Sequence, residues 1–315
     1  MLDIHRNQLE PERGDAYHLC LQGDLEARYL IERTVIGSGG FSLVYRAFDM
    51  KLGIETALKV IPVGPIMAEA EILEEARSLA SLSKYAIPIY DVHFVEDPNL
   101  RNTIATRFPD GSSKFGVLNM MLMNPNENLQ AIIQNRTALT FPVIQSLAFQ
   151  IGDALVYFRN RNVLFRDWKP GNLNYQDMQF LRFGDFGISS RVQHVQPSRF
   201  GSTGYISPER LMNHALLSFE SEIYEAGQLL YAIITGESPY TFLKEDGDTE
   251  EQASLRLYLN DGLTQKIRAP LVTSLDDYGT GVQTKKKVCE FFNQVFANLP
   301  GERPSSGHAF KDAFC

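Results

Sequence analysis

Between Val163 and Gly187 two acids, a lysine and an asparagine stand in a fixed order among apolar residues. The run Val163-Leu164-Phe165-Arg166-Asp167-Trp168-Lys169-Pro170-Gly171-Asn172-Leu173 is followed, after a strand–turn segment, by Phe183-Gly184-Asp185-Phe186-Gly187. The apolar flanks read as short strands, so the polar residues fall on loops at their ends. That arrangement suits catalysis. An acid can orient a hydroxyl and accept its proton, and a lysine beside it can offset charge on a moving group. An asparagine and a second acid can supply hard oxygen ligands to magnesium.

The rest of the chain divides by pattern. Residues 1–28 are polar, carry Pro11, Gly14 and Gly23, and read as an extension before the first strand. From Tyr29 to Ile36, Phe41 to Phe48 and Glu55 to Pro62, β-branched and aromatic residues broken by glycine predict three antiparallel strands. Ala68 to Ser83 places Leu73, Ala76, Leu79, Ala80 and Leu82 at helical spacing. Ile87–Val95 and Lys114–Met123 predict two further strands around a turn-rich Asp97–Ser113 hairpin. Beyond Asn124 the pattern is mainly helical, as in Phe141–Asn160 and Glu222–Thr235.

With 315 residues there is length for two modest domains or one bilobal unit. A formal net charge of -8 argues against nucleic-acid binding, which needs clustered Lys and Arg, and suits basic peptides better. Cys20, Cys289 and Cys315 are far apart and odd in number, as free thiols in a reducing compartment would be. Met1 to Asp15 lacks the apolar run of a signal peptide, and no later stretch reads as a bilayer span. The expected location is the cytoplasm, or a host cytosol if the protein is a secreted effector.

Two further features bear on chemistry. Gly37-Ser38-Gly39-Gly40 lies between two strands, where glycines let backbone amides approach phosphate oxygens; a glycine-rich turn by itself is often only a turn. Lys59 sits in the apolar strand Thr56-Ala57-Leu58-Lys59-Val60, where a lysine needs an anionic partner or must snorkel to water. The next helix offers Glu71, Glu74 and Glu75.

Taken in order, these motifs resemble the eukaryotic-like (Hanks-type) protein kinase family over nearly all of residues 29–310. The resemblance implies an α+β, bilobal protein-kinase-like fold. Its small lobe, 29–124, would carry a five-stranded antiparallel sheet and one helix, and its larger lobe, 125–315, would be mainly helical. It implies ATP and Mg2+ as cofactors, with Mn2+ as an alternative, and Ser/Thr residues of proteins as acceptors. By the same resemblance Gly37 and Gly39 cover the phosphates, and Lys59 holds the α/β-phosphates with Glu75 as partner and Glu74 or Glu71 as fallback. Asp167 is the base, Lys169 meets the γ-phosphate, and Asn172 and Asp185 bind metal. Val44, Ala57 and Leu173 enclose the adenine, Met121 backs its pocket, and Met123 belongs to the hinge. Gly201 to Glu209 resembles the substrate-docking loop, with Arg303 as the partner of Glu209.

Ser207 stands for an alanine of the docking segment, and three further positions depart from the family. Phe165 stands for a histidine and is expected in an apolar column with Leu79, Tyr90 and Phe186; Ser42 stands for the third glycine of the phosphate loop. Glu222 stands for an aspartate that holds the catalytic-loop backbone, and its extra methylene threatens misalignment, where about 1 Å can cost on the order of a hundredfold in rate. Lys59, Asp167, Asn172 and Asp185 are all retained, which favours an enzyme over a pseudokinase scaffold or nucleotide-gated binding module. Lys169 and the docking segment favour protein substrates over those of a small-molecule phosphotransferase. Arg166 is expected to pair with a phosphorylated hydroxyl among Ser189, Ser190, Ser198, Ser202 and Thr203.

Overall fold

The computed structural model of the chain describes residues 16–20, 27–38, 42–64, 67–96, 114–135, 139–184, 190–191, 204–212, 217–249, 252–253, 255–256 and 263–315. Two compact units meet at Met123 and Asn124 in the chain. The expected Asp97–Ser113 hairpin lies outside the described residues.

The first unit is built on one antiparallel sheet. Its strands are β1 (Ala16–Cys20), β2 (Ala27–Ser38), β3 (Leu43–Asp49), β4 (Ile54–Pro62), β5 (Ile89–Val95) and β6 (Phe115–Met121), in the order β1-β2-β3-β4-β6-β5. The five expected strands form, and a sixth comes from the segment expected to be an extension. β1 pairs with β2 from Ala16↔Glu32 to Cys20↔Ala27, with an irregularity at Leu19/Cys20. Its physical reason is the twelve-residue β2, whose outer edge would otherwise present a row of unpaired N–H and C=O groups.

Strand periodicity assigns each side chain a face. Tyr29, Ile31, Tyr45, Ala47, Leu58, Val60, Val95, Phe115 and Val117 form a buried apolar cluster on one face. On the other lies helix α1 (Glu69–Ser81), whose buried stripe is Ile72, Glu75, Ala76 and Leu79 at i, i+3, i+4 and i+7. A Cβ on Gly116 would stand 2.9 Å from Ile72, so this glycine sets how closely α1 packs. At the end of β3 the buried Asp49 accepts from Arg28 at 3.1 Å, Asn119 at 2.8 Å and the Lys51 and Leu52 N–H groups at 3.0 Å. One carboxylate thus ties β2, β6 and the β3–β4 turn together.

The second unit is mainly helical: α2 (Leu129–Asn135), α3 (Phe141–Arg159), α4 (Pro208–Met212), α5 (Phe219–Thr235), α6 (Gln265–Asp277), α7 (Val282–Val295) and α8 (His308–Asp312). Short strands β7 (Val163–Leu164) and β10 (Ser190–Arg191) pair with each other, as do β8 (Leu173–Gln176) and β9 (Phe180–Phe183). α5 is the axis of this unit, buried at every residue from Ser221 to Thr235. It starts at the Ser218 cap and stops at Gly236, which takes φ 90°. α3 is long and apolar enough by length and composition to cross a membrane, a test that a buried core helix also passes. Its Ile144, Leu147, Ala148, Ile151 and Leu155 are buried, while Asp153 and Arg159 are exposed, as in a core helix.

Two contacts fix how the helices pack. Gly152 of α3 and Gly307 before α8 approach so closely that a Cβ on either would meet the other's carbonyl oxygen. Arg303 grips Glu209 through Nη1–Oε1 at 2.7 Å and Nη2–Oε2 at 2.9 Å, and donates to the carbonyls of Ala297, Glu220 and Asn298. Burial raises the Glu209 carboxyl's pKa, but the hydrogen bonds and charge of Arg303 outweigh it and hold the group below the usual carboxylate range.

Gly152→Ala gains roughly 1 kcal/mol of helix propensity but must displace backbone, which costs about 1–3 kcal/mol. A lower thermal midpoint is the expected net result, read by calorimetry. Arg303→Met strands a buried carboxylate and should cost about 3–5 kcal/mol at pH 7 in urea unfolding. The pair's contribution is complete above the unfolded pKa of about 4.3 and is lost as pH falls through the lower folded value. The gap between wild type and Arg303→Met should therefore narrow in acid.

Candidate active site

Lys59 and Glu75 meet within the first unit. Lys59 Nζ lies 2.6 Å from Glu75 Oε1, with the two side chains 8% and 5% exposed. The other two glutamates considered for this role are engaged elsewhere. Glu71 accepts from the Ala68 N–H at 2.7 Å and caps α1, and Glu74 lies at 3.8 Å from Arg77 on the exposed face. Helical spacing decides the matter, because Glu75 shares the buried stripe with Ile72 and Leu79. A buried ammonium bonded to a carboxylate is fixed in place, where it can meet an anionic ligand.

Around Lys59 the sheet register sorts the remaining residues. Val44 pairs with Lys59, Lys59 with Leu118, and Ala57 with Met120, so these five share one face. Met121 pairs with Thr56 and points to the opposite face. Met121, the residue expected to back an adenine pocket, thus lies on the face away from Lys59, and its neighbour Met120 lies on the Lys59 face. Gly37 pairs with Val44 at the end of the β2–β3 ladder. Gly39 lies outside the described residues, and Met123 is half-buried.

The second unit brings together Asp167, Lys169 and Asn172. Asp167 Oδ2 lies 3.0 Å from Lys169 Nζ and accepts from Asn172 Nδ2 at 2.5 Å; the same amide nitrogen lies 3.2 Å from the Asp167 carbonyl. With its nitrogen committed to Asp167, the Asn172 amide turns its oxygen the other way. An amide oxygen, a carboxylate and phosphate oxygens form a donor set suited to magnesium. Among the described residues no group of three or more His, Cys, Asp or Glu could hold a metal alone. Asp185 lies outside the described residues, while the preceding Gly184 donates its N–H to the Asn172 carbonyl at 2.8 Å. Leu173, fully buried, opens β8 immediately after Asn172.

What holds this loop is a buried carboxylate. Glu222 accepts from the Phe165 N–H, the Arg166 N–H and the Trp168 indole N–H, each at 2.8 Å. The extra methylene expected to disturb the loop is thus accommodated with both backbone bonds made. Arg166 takes φ 71°, a left-handed conformation that L-residues with side chains rarely adopt. Its carbonyl accepts from Arg210 Nη1 at 3.1 Å, so bonds on both sides hold it there.

Phe165 packs edge-on against Phe183 at 4.8 Å and Trp168 at 5.5 Å, with Phe158 at 6.2 Å. Of its expected column, Phe186 lies outside the described residues and Tyr90 is 42% exposed. Arg210 also grips Glu225 at 2.6 and 2.7 Å, and Glu225 accepts the Ser207 N–H at 3.0 Å. Burial pushes Glu225 up to about 7 against the pull of Arg210, with Glu222 adding repulsion. Burial, with the charge of Arg210, lowers the Arg166 pKa despite Glu222 and Glu225. Sequence reasoning missed Trp168, Arg210 and Glu225. The available signals were a lone tryptophan beside an acid, and a glutamate among the apolar residues of 223–234.

Ser189, Ser198, Ser202 and Thr203 lie outside the described residues, and Ser190 is placed by its backbone pairing with Leu164.

Comparison with known proteins adds an independent line. The protein kinase domain family matches residues 30–315. The cell cycle serine/threonine-protein kinase CDC5/MSD2 of Saccharomyces cerevisiae is 31% identical over 209 residues, covering 65% of this chain and 28% of that protein. The serine/threonine-protein kinase plk-2 of Caenorhabditis elegans is 25% identical over 243 residues, covering 75% of this chain and 35% of its own. The dual specificity mitogen-activated protein kinase kinase 1 of Dictyostelium discoideum is 28% identical over 230 residues, covering 71% and 32%. The chain spans 28% to 35% of the length of these relatives. With the motifs in order and the family matched over 30–315, this chain belongs to the protein kinase domain family.

Proposed function

We propose that the chain is an active serine/threonine protein kinase that moves the γ-phosphoryl group of ATP onto Ser or Thr hydroxyls of proteins. The observation that carries this reading is the Asp167 carboxylate with Lys169 at 3.0 Å and Asn172 at 2.5 Å on one anchored loop. In the reaction the bond from the γ-phosphorus to the bridging oxygen of ADP breaks and a bond to the acceptor oxygen forms. Asp167 takes the hydroxyl proton, and Lys169 offsets charge on the phosphoryl oxygens as they leave ADP. Lys59, fixed by Glu75, binds the α/β-phosphates. Asn172 and Asp185 would hold magnesium, or manganese in its place, which when bound neutralises phosphate charge. Val44, Ala57 and Met120, on one face of the first unit's sheet, supply apolar contacts for adenine.

A lysine two residues after the acid is the serine/threonine pattern, and two of the relatives carry that class in their names. Autophosphorylation on Ser198 or a neighbouring hydroxyl belongs to the same proposal, with Arg166 as the cation that pairs with the phosphate. Phosphopeptide mapping that finds this segment unmodified in fully active protein would remove that part.

The test is transfer from labelled ATP with magnesium, to the protein itself and to a basic substrate, in wild type, Asp167→Asn and Lys59→Met. Label on serine or threonine that falls by about a hundredfold or more in both variants is the expected result. Bound ATP without transfer by wild type would replace this reading with a nucleotide-gated binding module.

A further inference from the structure

We propose that Trp168 is a positioning residue, matched to Glu222, that sets the catalytic loop of this chain; the role in turnover rests on the kinase reading above. A family that uses aspartate at the Glu222 position leaves the longer glutamate with one more torsion to fix. Here its carboxylate is buried with 1% of the residue exposed, so each oxygen must be satisfied inside the protein. Oε1 receives the Arg166 N–H, and Oε2 receives both the Phe165 N–H and the Trp168 indole N–H. The indole is the one side-chain donor among these three, and it comes from the residue next to Asp167.

The indole is itself immobilised. Trp168 is fully buried and stands edge-on to Phe183 at 5.3 Å and to Phe165 at 5.5 Å, with Phe158 at 6.3 Å. Phe165 therefore does two things: its ring braces Trp168, and its N–H shares Oε2 with the indole. Burial raises the Glu222 pKa, and the Trp168, Phe165 and Arg166 donors, with the Arg210 charge, oppose that rise. Losing the indole donor would leave the carboxylate free to shift or to take a proton, and either change loosens the two backbone N–H groups that precede Asp167. Trp168 touches no reacting atom in this scheme. It acts through Glu222 on the position of Asp167.

A double-mutant cycle tests the pairing: wild type, Trp168→Phe, Glu222→Asp and the double variant. Each single variant should lose about tenfold to a hundredfold in kcat, with KM for ATP within about twofold of wild type. The double variant should be no slower than the slower single one; losses that multiply would overturn the proposal, as would an unchanged kcat in Trp168→Phe. A second readout needs no turnover, because Trp168 is the only tryptophan in the chain. Glu222→Asp withdraws the carboxylate from the indole N–H and should shift the emission maximum; Glu222→Gln, which keeps the length, serves if the shorter side chain fails to fold. An emission maximum unmoved in a folded variant refutes the pairing, whether or not the wild type transfers phosphate.

Discussion

Glu222 lies in the first turn of α5, and the loop bearing Asp167 hangs from its carboxylate by two backbone N–H groups. Holding Arg166 at φ 71° costs of order 1–3 kcal/mol, which an isolated loop would relieve by relaxing. A hydrogen bond to a charged group contributes about 1.5–3 kcal/mol, so the bonds on Phe165 and Arg166 together outweigh the strain. The Arg210 contact to the Arg166 carbonyl adds to the same side. Asp167 thus meets Lys169 and Asn172 because the residues before it cannot relax.

That helix serves more than one loop. Acids in its first turn benefit from the partial positive charge of the helix N-terminus. One turn on, Glu225 receives Arg210 and the Ser207 N–H, and the Glu220 carbonyl receives Arg303. The residues from Ser207 to Arg210 and the loop from Phe165 to Trp168 are therefore secured to the same rigid rod. Desolvating so many charges is tolerable only because each is met by an opposite charge or by several donors.

Much of this was legible in the sequence because motif order and local periodicity carry it. The strands from Tyr29 onward and the helix with Glu75 on its buried stripe follow from alternation and from spacing by three and four. What the sequence could not show depends on partners distant in the chain. Whether Met120 or Met121 shares a face with Lys59 is set by pairing with β4, and the motif alone leaves it one residue uncertain. Ala16–Cys20 is a strand because β2 has a free edge to fill, not because five residues of mixed polarity demand it. The fit of Glu222 needed the indole of Trp168, fifty-four positions earlier, to be seen beside it.

β1 also changes what the first unit exposes. Because five residues before β2 lie along its rim, the ladder of β2 is saturated there on both sides. A version of this protein trimmed to begin at Tyr29, where the catalytic motifs start to be recognisable, would bare that rim while leaving every motif intact. Bare rims recruit other chains, so such a shortened protein would tend to self-associate through its sheet, and its colloidal behaviour would reflect the missing strand more than the chemistry it retains.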